Sequence, residues 1–160
     1  MLAPLMIPLA VGAVALAVFF ADMAVSKDDR SGLGVLTAMG LVGVFGLSFM
    51  APEGQVFDGV YSQDAFTLYV QRILLIAGII AALGSIGHGA KHFPGRMGEY
   101  TLMLLFSLMG MLVLPGAREL VTIVVAFELM GIPLYVMAAM HKDRPEGVEG
   151  AWKLYLSGAV

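Results

Sequence analysis

One acidic residue stands where a lipid environment disfavours it. Glu128 lies in the apolar run Val121-Thr122-Ile123-Val124-Val125-Ala126-Phe127-Glu128-Leu129-Met130-Gly131-Ile132. If a helix spans Glu119 to Met140, the rise of about 1.5 Å per residue puts Glu128 roughly 13 Å from one end and 18 Å from the other. A charge at that depth costs about 2.5–3.5 kcal/mol on insertion scales, so packing alone would select Leu. Two roles fit. A protonated Glu can join two helices by a hydrogen bond, or the carboxyl can be a station on an ion pathway; the second is the commoner use of such residues and is favoured here.

The base at similar depth is Lys153. A following helix starting at Pro145, a residue suited to a first turn, would put Lys153 roughly 12 Å deep. Antiparallel packing across a short loop would bring it within about one helical turn of Glu128 in depth. Glu146, Glu149 and Ser157 share the Lys153 face as a polar stripe. The plain alternative is a lysine that snorkels to the interface. In a low dielectric a carboxylate and an ammonium hold each other charged, and separating them favours the protonated acid and the neutral base. Such a pair converts side-chain displacement into proton movement.

Other polar residues are weaker candidates. Pro133 frees a backbone carbonyl near Glu128 and can kink the helix, although ordinary membrane helices also carry proline. His141 is a candidate relay at the cytoplasmic end of the same span, or a solvated loop residue. His88 and His92, spaced i, i+4, could in principle share a metal. They are expected in a Gly-rich loop beside Lys91 with no acidic partner nearby, which argues against it.

The elements that must position these residues are membrane spans. Of 160 residues, 59% are hydrophobic and 13% charged, and the mean hydropathy is +0.90. A soluble domain carries about 25% charged residues, and a chain this short cannot hide so much apolar surface in one globule. The chain reads as an all-α integral membrane protein, a polytopic helix bundle with five complete transmembrane helices and a truncated sixth. The runs are Leu2–Val25, Leu33–Ala51, Phe66–Gly87, Glu99–Leu114, Glu119–Met140 and a last run from Pro145. Turn residues separate them, as in Pro52-Glu53-Gly54, Pro94-Gly95 and Pro115-Gly116. Residues 1–97 form a first group of three spans, and residues 98–160 begin a second module. The last run is short and ends without a polar cap, so a piece of a longer protein is expected. Gly40, Gly43 and Gly46 suggest a flat face for close helix packing. Tyr61, Tyr69, Tyr100 and Trp152 suit interfacial belts.

Met1–Ala21 lacks the basic residues of a signal peptide and reads as a retained span. Lys27, Arg30, Lys91, Arg96, Lys142 and Arg144 fall in alternate loops on one side, while the loop from Pro52 to Ala65 is purely acidic. The positive-inside rule then places the N-terminus outside. A net charge of −3 without a basic cluster argues against nucleic acid as a partner. With no cysteine, thiolate-ligated zinc or iron–sulfur clusters are excluded within this chain.

The run Phe127-Glu128-Leu129-Met130-Gly131-Ile132-Pro133-Leu134-Tyr135, followed by Ala151-Trp152-Lys153-Leu154-Tyr155-Leu156-Ser157-Gly158-Ala159, resembles the antiporter-like subunits of proton-pumping NADH:quinone oxidoreductase, respiratory complex I. Among them it is most similar to subunit N, the relative of mitochondrial NADH dehydrogenase subunit 2, with subunit M and Mrp-type cation/proton antiporters next. The strong likeness covers about the last 60 residues. It implies a membrane subunit that contributes to proton translocation through Glu128 and Lys153, with Pro133, Tyr135, His141 and Ser157 in support. It implies no redox centre in this chain: NADH, FMN, iron–sulfur clusters and quinone would belong to partner subunits. The expected surroundings are lipid and other membrane subunits, in a bacterial plasma membrane or its mitochondrial or plastid equivalent. A membrane-bound hydrogenase subunit, a gradient-driven antiporter or a purely structural fragment are the alternatives.

Overall fold

The computed structural model describes residues 3–24, 31–92, 96–140 and 145–158. The main elements, in chain order, are α1 (Met6–Ala24), α2 (Ser31–Leu47), β1 (Gly54–Val56), β2 (Tyr61–Gln63), α3 (Ala65–His92), α4 (Met97–Val113), α5 (Leu120–Ala138) and α6 (Pro145–Gly158). A 3-10 turn, Ala3–Leu5, leads into α1, and another, Leu114–Gly116, ends α4. α1 to α5 form because their sequences are apolar on nearly every side and intrahelical bonding satisfies each backbone group without water; α6 carries a polar stripe.

α4 is the central post. It packs against α1, α2, α3 and α5, and α6 packs on α5. Ile7, Val11 and Val18 of α1, Leu41 of α2, Leu75 of α3, and Leu105 and Leu112 of α4 form the buried core. Outward faces remain apolar, with Phe20, Met39, Ile80 and Leu120 all exposed, as expected where the solvent is lipid.

Among the described residues, four helices are long and apolar enough to cross a membrane: Ala3–Ala24, Ala65–Ile86, Met97–Gly116 and Leu120–Ala138. The expected second span is shorter, with its apolar helix running from Gly32 to Leu47. It stops where Ser48 turns the chain, and Arg72 donates from its guanidinium to the Ser48 carbonyl over 3.0 Å while lying 4.5 Å from the Phe49 ring centre. α6 is 14 residues long.

Three sequence expectations change. The acidic loop between α2 and α3 is not bare loop: β1 and β2 pair antiparallel, with Val56 opposite Tyr61. The turn explains it: Phe57, Asp58 and Gly59 take φ of 55°, 54° and 94°, and the Val60 amide closes on the Phe57 carbonyl over 3.1 Å around Asp58-Gly59, a dipeptide suited to positive angles. His88 and His92 fall within the end of α3 and not in a Gly-rich loop. Of the glycine stripe in α2, Gly40 packs on Val14 of α1, where a Cβ would come within 2.7 Å of Cγ1, while Gly43 and Gly46 face open space. Positions three apart drift by about 60° per step around a helix, so one neighbour cannot cover all three.

Candidate proton-handling site

α5 carries Glu128, and its orientation is set by α4. Gly110 of α4 lies directly under the α5 backbone: a Cβ there would sit 2.5 Å from the Met130 nitrogen, 2.7 Å from the Ala126 oxygen and 2.9 Å from the Leu129 carbonyl carbon. Ser107, also on α4, donates its hydroxyl to the Met130 carbonyl over 3.0 Å. Ala126 and Pro133 are buried against this contact. Glu128 is two residues beyond Ala126, roughly 200° around the helix, and therefore faces away from α4. It is exposed on the chain's own surface.

Lys153 of α6 has its ammonium 2.6 Å from Glu149 one turn earlier on the same helix, and both side chains are exposed. Glu128 and Lys153 lie on neighbouring helices but form no ion pair. The reason lies in the α5–α6 register. The Tyr135 ring lies against Gly131, and its hydroxyl meets the space a side chain at Gly158 would need, so Gly158 is level with Gly131. Glu128 lies one turn past that point, and Lys153 is five residues back from Gly158, roughly 7.5 Å in the other direction. The local i, i+4 partner Glu149 is nearer than any acid on α5. Ser157 donates back to the Lys153 carbonyl over 2.8 Å, within its own helix.

Tyr135 ties the two helices together. Its ring meets Tyr155 edge-on at 5.7 Å, and Tyr155 meets Trp152 at 6.0 Å. With Ala139, Val148 and Ala151 these rings line a cleft of about 220 Å³ between α5 and α6. His141 and the side chains of His88 and His92 lie outside the described residues. Among the described residues no group of three or more His, Cys, Asp or Glu is placed to hold a metal.

At the opposite end of α5 the hairpin fixes where the helix begins. The Arg118 amide donates to the Val60 carbonyl over 2.9 Å, and its guanidinium pairs with Asp64 at 2.8 Å. Tyr61 is not an interfacial belt residue: it is 2% exposed, with its hydroxyl accepting from Gln71, whose Nε2 also donates to the Leu112 carbonyl over 2.8 Å. Burial pushes the Tyr61 phenol above its usual range; the Gln71 hydrogen bond opposes this and the Asp64 charge adds to it. Tyr69 and Trp152 remain exposed. Sequence reading missed Ser107, Gly110 and Gln71. The pair Ser107 and Gly110, small residues one turn apart on a spanning helix, was the available signal for the first two.

No family model matches the chain. Curated relatives do. The chain is 28% identical over 149 residues to NADH-quinone oxidoreductase subunit N of Desulfitobacterium hafniense, covering 91% of this chain and 30% of that protein. It is 29% identical over 152 residues to subunit N of Parvibaculum lavamentivorans, covering 95% and 31%, and 33% identical over 129 residues to subunit N of Francisella tularensis, covering 79% and 26%. The chain is a homologue of NADH-quinone oxidoreductase subunit N. It spans about three tenths of the length of these subunit N relatives. The likeness reaches well beyond the last 60 residues, so α1 to α3 belong to the subunit N pattern along with α4 to α6.

Proposed function

We propose that this chain is part of a membrane subunit of a proton-translocating NADH:quinone oxidoreductase, and that Glu128 and Lys153 are two stations of its proton path. The reading is carried by one observation: a carboxyl in the middle of the 19-residue apolar helix α5, turned away from α4 by close backbone contact. An acid held there is positioned to exchange protons with groups that cover the outer face of α5. Lys153, paired with Glu149, supplies an amine one helix over. Because the two are separated along the bundle, transfer between them passes through intervening water or side chains and not through a direct ion pair. Pro133 leaves the Leu129 carbonyl without its helical donor, adding a polar atom in the same turn.

In this reading the N-terminus lies outside, and the setting is a bacterial plasma membrane. Electron transfer from NADH through FMN and iron–sulfur clusters to quinone takes place in partner subunits. The deciding experiment is Glu128→Gln in the assembled oxidoreductase, with NADH-driven proton uptake measured in inverted membrane vesicles. Normal assembly with uptake abolished is expected; uptake at the wild-type level overturns the role of Glu128.

A further inference from the structure

We infer that Ser107 is a positioning residue for Glu128: its hydroxyl, bonded to the Met130 carbonyl, fixes the turn of α5 that aims the carboxyl. This rests on the proton-path reading above.

The bond is uncommon in this chain, although Thr67, in the first turn of α3, also leaves its helix, for the Ser62 and Pro115 carbonyls at 3.4 Å. A hydroxyl inside a helix ordinarily returns to a carbonyl three or four residues earlier in its own helix. Thr37 does so to Leu33, Ser48 to Phe45, Ser85 to Ala82, Thr101 to Met97 and Ser157 to Lys153. Ser107 instead crosses to α5 at 3.0 Å, although it is only 3% exposed and its own helix is continuous. The recipient turn is the one that Pro133 loosens. Proline has no N–H for the Leu129 carbonyl, and its ring pushes on that carbonyl, so the turn from Leu129 to Pro133 lacks the tie that holds an ordinary helix. Ser107 supplies a tie from outside, at the adjoining carbonyl.

Gly110 adds the second half of the grip. With Ser107 bonded at Met130 and the Gly110 backbone pressed on Ala126, Leu129 and Met130, α5 is held on both sides of Glu128. Without the hydroxyl, the loosened turn can rotate on the flat Gly110 contact, and a rotation of about 10° moves a carboxyl about 6 Å from the helix axis by about 1 Å. Positioning errors of that size cost heavily in transfer reactions. The site is also reachable by repacking, because Ser107 borders a groove of about 260 Å³ between α3, α4 and α5, lined by Gly78, Leu108, Leu134 and Met137 among others.

The test compares Ser107→Ala, Ser107→Thr and Glu128→Gln in the assembled oxidoreductase, reading NADH-driven proton uptake per complex together with subunit content of the membranes. Ser107→Ala is expected to leave subunit content unchanged and to lower uptake about fivefold, the equivalent of one net hydrogen bond. Ser107→Thr, which keeps the donor, is expected to restore it. If Ser107→Ala reduces subunit content, Ser107→Cys, which keeps the volume and weakens the donor, replaces it in the same comparison. Wild-type uptake in Ser107→Ala, or failure of Thr to restore it, overturns the role of Ser107 while leaving Glu128 in place. Wild-type uptake in Glu128→Gln overturns the proton-path reading itself.

Discussion

Tyr61 fills the space that a side chain at Gly116 would need. A Cβ on Gly116 would lie 2.5 Å from Cε2 and 2.6 Å from Cζ of that ring, and 2.9 Å from the Ser62 carbonyl oxygen. The contact seats the hairpin against the turn that ends α4, and Gln71 holds the Tyr61 hydroxyl from α3. Gly116→Ala should therefore loosen the hairpin by about 1–3 kcal/mol, the usual cost of overpacking, and amide exchange across residues 54–63 reads it directly. Tyr61→Phe removes one neutral hydrogen bond and should cost about 1 kcal/mol. The phenol also gives a pH signature. Its folded pKa is raised above 10.0, so the neutral form is the one the fold favours. Its contribution is intact below pH 10.0 and declines as pH rises beyond that toward the folded value. Wild-type hairpin amides should lose protection there. Equal alkaline loss in Tyr61→Phe would rule out the phenol as the cause.

Asp64 gives the opposite pH signature. Its Oδ1 accepts from the Thr67 amide over 2.8 Å, capping the start of α3, and its Oδ2 accepts from Arg118 over 2.8 Å. The Thr67 amide and then the Thr67 hydroxyl hold the carboxyl below its usual 3.8; desolvation opposes them, and the Arg118 charge adds a smaller lowering effect. A lowered folded pKa means stability that is present above pH 3.8 and lost as pH falls below it through the folded value. The junction between the hairpin and α5 should open in that acid window. Asp64→Asn should be weakened already at pH 7 and show no further change on acidification. Arg118→Met should keep most of the acid response, because the Thr67 amide is the larger cause. Exchange at the Thr67 amide across a pH series distinguishes these outcomes, and an Arg118→Met variant with no acid response would contradict the ranking.

Much of this architecture was legible because lipid imposes simple demands. Runs of about 20 apolar residues read as spans, and an acid inside one stands out against the cost of burying it. What the residues could not reveal was azimuth and register. Glu128 and Lys153 have comparable depths when each helix is measured from its own end, yet the Tyr135–Gly158 contact slides α6 until they part. The hairpin escaped because three-residue strands have no periodicity to detect, although Asp58-Gly59 marked the turn. Tyr61 looked interfacial by type, and only its Gln71 partner, ten residues on in α3, explains its burial. The polar stripe of α6 was legible, but Lys153 and Glu149 satisfy each other locally.

The glycines allow the packing of α5 to be tested without touching any charge. Gly110 and Gly43 both lie inside helices, and helix propensity alone would make Ala the better residue at each by roughly 0.5–1 kcal/mol. Their surroundings differ. At Gly110 the added methyl would meet the backbone atoms of Met130, Ala126 and Leu129, all under 3.0 Å, and backbone cannot swing aside as a side-chain tip can. At Gly43 nothing lies within 4 Å. Gly110→Ala should push α5 off α4, cost about 1–3 kcal/mol or more, and lower the melting temperature of the detergent-solubilised subunit. Gly43→Ala should leave it unchanged or slightly raised. If the two variants melt alike, α5 does not press on Gly110 as closely as described, and the orientation of Glu128 away from α4 loses its cause.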